Sequence, residues 1–60
     1  MIADPVRATL DVARLYLDKA ERAFQHQDHP RAIDSARVLR EQAVALEHWA
    51  HLQLRAERAA

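Results

Sequence analysis

Two series of apolar residues run along this chain at alternating steps of four and three, and their sizes are opposite. The first is Val6, Leu10, Ala13, Leu17, Ala20 and Phe24; the second is Ala32, Ala36, Leu39, Ala43, Leu46 and Ala50. Such spacing holds each series on one stripe of an α-helix, whereas a strand would need a period of two. With the large residues Leu10, Leu17 and Phe24 at heptad position a of the first series, the second has Ala36, Ala43 and Ala50 at a. Antiparallel helices set a against d. Folded back near residue 28, the chain therefore matches Leu17 with Leu39 and Leu10 with Leu46. Ala20 then meets Ala36, and Ala13 meets Ala43. Alanine layers let two backbones approach and leucine layers fill the space between them. The fold class expected is all-α, a two-helix antiparallel hairpin with Ala/Leu layers.

Local signals place the boundaries. Asp4-Pro5 starts a helix, since Asp4 can cap free N–H groups and Pro5 suits the first helical position. No breaker follows until His29-Pro30, and Pro30 disfavours helical geometry at His29. Helix one is expected over about residues 5–26, the turn over 27–29 with Asp28 or His29 as the next cap, and helix two over about 30–57. Residues 1–60 form one domain. The chain contains no glycine, so the first helix must end without the usual left-handed glycine.

Sixty residues lie near the lower limit for an independent core, and without cysteine no disulfide can staple them. Assembly is the expected remedy. A second apolar stripe suggests where: Val12, Leu15 and Tyr16 on helix one, with Val38, Ala45, Trp49 and Leu52 on helix two. The two edges fall on the same side of an antiparallel pair, so they merge into one broad face. That face is the interface expected from the sequence, closing a homodimeric four-helix bundle or docking a protein partner.

Nine basic and nine acidic residues cancel, so no global field draws nucleic acid or an anionic membrane. The start of the chain has neither the basic residues nor the apolar run of a signal peptide or span, which makes a cytoplasmic location the default expectation. Pairs four apart, Arg7–Asp11, Arg14–Asp18, Asp18–Arg22 and Arg37–Glu41, are placed to support each helix. Arg14 with Glu47 and Glu21 with Arg40 sit on facing edges as register aids.

Chemistry is poorly provided for. Glu47, His48 and His51 cluster, but their spacing misses HExxH and the ExxH of carboxylate di-iron bundles. His26 and His29 flank the turn, roughly 25 Å away at 1.5 Å per residue, so the two groups cannot share an ion. The histidines are read as surface residues, with no metal site and no cofactor. Thr9, Ser35 and Tyr16 are the only hydroxyls, none is arranged with a base, and no glycine loop can cradle phosphate. No catalytic residue and no small-molecule substrate is expected. Nucleic acid is the alternative partner, held by Arg31, Arg37, Arg40, Arg55 and Arg58 on helix two, although Asp34, Glu41, Glu47 and Glu57 interleave with them.

Residues 20–33 resemble the central turn of a tetratricopeptide repeat. Ala20, Ala23, Phe24, Asp28, Ala32 and Ile33 stand where that motif takes small, small, aromatic, Asp, Ala and apolar residues. Lys19 and Gln27 depart from it, standing where Leu and Gly are usual. In length and layering the chain is also similar to the Rop-type helical hairpins, whose hairpins pair into four-helix bundles; no motif is shared. Both resemblances imply a hairpin that acts by non-covalent contact. The function expected is protein–protein association, as an oligomerising scaffold, adaptor or regulator.

Overall fold

A computed structural model describes residues 1–59. It is an antiparallel hairpin of two helices, α1 (Asp4–Gln25) and α2 (His29–Ala59). The expected fold class is thus observed, without strands among the described residues. At 31 residues α2 outruns the 22 of α1, so its last two turns extend past the start of α1.

The helix ends differ from expectation in instructive ways. Asp4 lies inside α1; Ala3, extended at φ −62° and ψ 148°, is the residue at its N-cap, and no side chain caps there. Pro5 instead occupies the first turn, where its missing N–H costs nothing. The Arg7 N–H reaches the Ala3 carbonyl at 2.9 Å and opens the helical ladder.

The turn covers residues 26–28, one residue earlier than the sequence implied. Gln27 takes φ 56°, the left-handed conformation usually left to glycine. The Asp28 N–H donates to the Ala23 carbonyl at 2.8 Å and the Gln27 N–H to the Phe24 carbonyl at 3.1 Å. Together these form a Schellman motif, which satisfies the last carbonyls of α1 without glycine. Asp28 then starts α2: its carboxylate accepts from the Arg31 N–H at 3.3 Å and its carbonyl from the Ala32 N–H at 3.0 Å. His29 is already helical, and Pro30 sits in the first turn of α2, where no N–H is required.

So short a turn decides which faces of the helices meet. The buried residues are Ala20 and Ala23 on α1 and Ala32 and Ser35 on α2, all small and all near the turn. Helices joined by three residues are close there, and only small side chains fit between them. From that end the seam continues through half-buried Tyr16, Ala13, Leu10, Thr9 and Val6 on α1. It runs through Val38, Leu39, Gln42, Ala45, Leu46 and Trp49 on α2. The Thr9 hydroxyl in the seam donates to the Pro5 carbonyl at 2.8 Å, so its polar atom is satisfied locally.

The seam is therefore rotated from the heptad stripe. Ala36 and Ala43 are exposed rather than stacked on Ala20 and Ala13, and Leu17 and Phe24 are 61% and 63% exposed. Phe24 cannot sit between helices where Ala23 and Ala32 hold them close.

Candidate interaction surfaces

A two-helix seam has two flanks, and the rotation of the helices divides the apolar residues between them. The first flank carries the residues that the sequence assigns to an interface. Tyr16, Val38, Ala45 and Trp49 are half-buried along its margin, while Val12, Leu15 and Leu52 are exposed. The seam and the expected face thus share residues. Near the turn this flank opens into a groove of about 710 Å³ bounded by Tyr16, Val38 and the buried Ala23 and Ser35. Its margin is charged: Lys19, Arg22, His26, Arg31 and Asp34 also line it, and the Lys19 Nζ lies 4.7 Å from the centre of the Tyr16 ring.

The second flank was assigned by the sequence pattern to the interior of the hairpin. Leu10, Leu17 and Phe24, seven residues apart, form a row of large side chains along α1. His29, Ala36, Ala43 and Ala50 form a row at the same spacing on α2. The two rows share one side of the molecule, because Phe24 and His29 touch across the turn with ring centres 6.3 Å apart. Ile33 and Ala36 line a shallow hollow beside it with Arg37 and Arg40. One side of this flank is thus ridged with large residues and the other floored with alanine.

Ion pairs hold the polar surface to local partners. Arg22 meets Asp18 at 3.2 Å, as the four-residue spacing implies. Arg14 turns back to Asp11 at 3.4 Å and Arg37 to Asp34 at 4.0 Å, each three residues away rather than four. Arg14–Glu47 and Glu21–Arg40 do not form within the hairpin: Arg14 is with Asp11, and Glu21 accepts from Gln25 at 3.4 Å. Of the five arginines named for nucleic acid, Arg31 is held by Asp28 at 3.3 Å and Arg37 by Asp34. The five arginines are spread along the 31-residue α2, from Arg31 to Arg58.

Three of the histidines have neighbours of different kinds. His29 packs on Phe24, His48 lies 5.9 Å from the Trp49 ring, and His51 Nε2 is 3.9 Å from Glu47 Oε1. Among the described residues no three His, Asp or Glu side chains gather in a way that could hold a metal ion. No described helix is long and apolar enough to cross a membrane.

The second flank is what reading the sequence missed. Its signal was present: a single seam between two helices can bury one stripe each, and here two stripes compete. Ala20, Ala23, Ala32 and Ser35, small and three apart on either side of the turn, are the residues that decide between them. No protein-family model matches the chain, nor does any curated protein or any solved structure.

Proposed function

We propose that this chain is a non-enzymatic helical hairpin that works by protein–protein association, as an oligomerising scaffold or adaptor. One observation carries the reading: the hairpin leaves its large apolar side chains uncovered. No large side chain among the described residues is fully buried, whereas Leu15, Leu17, Phe24, Ile33 and Val44 are each more than half exposed. The accessible surface is 5070 Å², against about 4,000 Å² for a compact monomer of 6.9 kDa. The difference of roughly 1,000 Å² is comparable to the ~800 Å² that each partner contributes to an ordinary protein interface. Large apolar side chains exposed together mark a contact surface on a folded protein.

The test is dilution. Helix content by circular dichroism and mass by analytical ultracentrifugation should fall together as the chain is diluted, because its stability is coupled to assembly. A chain that stays fully helical as a 6.9 kDa monomer at every concentration, with no protein partner needed, overturns the reading.

A further inference from the structure

Building on this association reading, we infer that the second flank is covered by a second copy of the same chain, with both turns at the same end of a four-helix bundle. The two-fold axis runs parallel to the helices, so α1 of each copy packs on α2 of the other.

Size complementarity is the first argument. An interface between two identical chains related by a two-fold axis must be self-complementary, since each residue meets what its own surface provides elsewhere. The flank offers half-buried Leu10 and exposed Leu17 and Phe24 on α1, and exposed Ala36, Ala43 and Ala50 on α2. A two-fold axis along the helices lays the large row of each copy over the alanine row of the other, twice. Counting back from the turn at 26–28, Leu17 is level with the space between Ala36 and Ala43, and Leu10 with the space between Ala43 and Ala50. The large side chains enter those spaces as knobs into holes. An axis perpendicular to the helices instead puts α1 on α1 and α2 on α2. Large residues then meet large ones, and alanines face each other across a gap.

Area gives the second argument: the surface in excess of a compact monomer, roughly 1,000 Å², is about what one partner in a stable dimer buries.

Two variants of the full chain test the arrangement by exchanging sizes. Leu17→Ala leaves a hole in both contacts and Ala36→Leu creates a clash in both, so each should raise the dimer dissociation constant about 10- to 100-fold. Mixed one to one, they should recover dimer mass and helix content close to the unaltered chain. In the mixed pair one contact sets the shortened side chain at position 17 against the enlarged one at position 36, and the other contact is native. Recovery on mixing supports the arrangement. If each variant weakens the dimer and mixing restores nothing, or neither variant weakens it, the parallel-axis dimer is wrong while association through another surface stands. If the unaltered chain is a folded monomer at all concentrations, both this inference and the association reading fall.

Discussion

The Asp28 N–H reaches back five residues to the Ala23 carbonyl at 2.8 Å, and this one bond ties the end of α1 to the start of α2. It closes the Schellman motif around Gln27. It also brings the helices together where Ala20, Ala23, Ala32 and Ser35 are buried. The rotation of both helices, and hence which residues face outward, follows from it.

Gln27 holds φ 56°, where a side chain crowds its own backbone and glycine does not. Gln27→Gly is expected to stabilise the hairpin by about 0.5–1 kcal/mol, seen as a higher urea midpoint with an unchanged slope. Gln27→Val, branched at Cβ, should lower the midpoint. Equal midpoints for the two variants would remove the left-handed cap.

Asp28 caps α2 through its carboxylate, 3.3 Å from the Arg31 N–H. Asp28→Ala should cost about 1 kcal/mol, whereas Asp28→Asn, which keeps an acceptor oxygen, should retain most of the stability. Chemical denaturation of the three chains at matched concentration measures the difference. A loss as large in the Asn variant as in the Ala variant would show that the ion pair with Arg31, not the cap, carries the effect.

Ala32 is only 4% exposed, while Ala43 is exposed. Ala32→Leu should therefore force the helices apart near the turn and cost about 1–3 kcal/mol by overpacking. The same change at Ala43 meets no side chain within the hairpin and should act only through assembly. Thermal melts at several concentrations separate the two: the deficit at position 32 persists at high concentration, and that at 43 shrinks. Identical behaviour would return the seam to the heptad stripe.

Trp49 is half-buried on the seam near the open end of the hairpin, against His48. Trp49→Ala should remove about 2 kcal/mol, less than a fully buried tryptophan because part of its surface is already wet. Trp49→Glu should cost more, since a carboxylate would enter the apolar side of the seam. Unchanged melting of both variants would take Trp49 out of the seam.

Much of this architecture is legible in the residues themselves, because a period of 3.6 residues and the chemistry of helix ends act over a few positions. The four-and-three spacing determines two helices, His29-Pro30 with Asp28 determines a break near residue 28, and a turn that short leaves only an antiparallel hairpin. Which stripe each helix turns inward is a different kind of question. It depends on how closely two backbones pass, and that distance is set by a Schellman turn in which Gln27 stands where glycine is usual. Leu17 and Phe24 fit the inner stripe by spacing, yet they are displaced by neighbours small enough for the gap. The tertiary structure alone decided that, because helical periodicity places side chains around an axis but carries no information about the rotation of one axis against another.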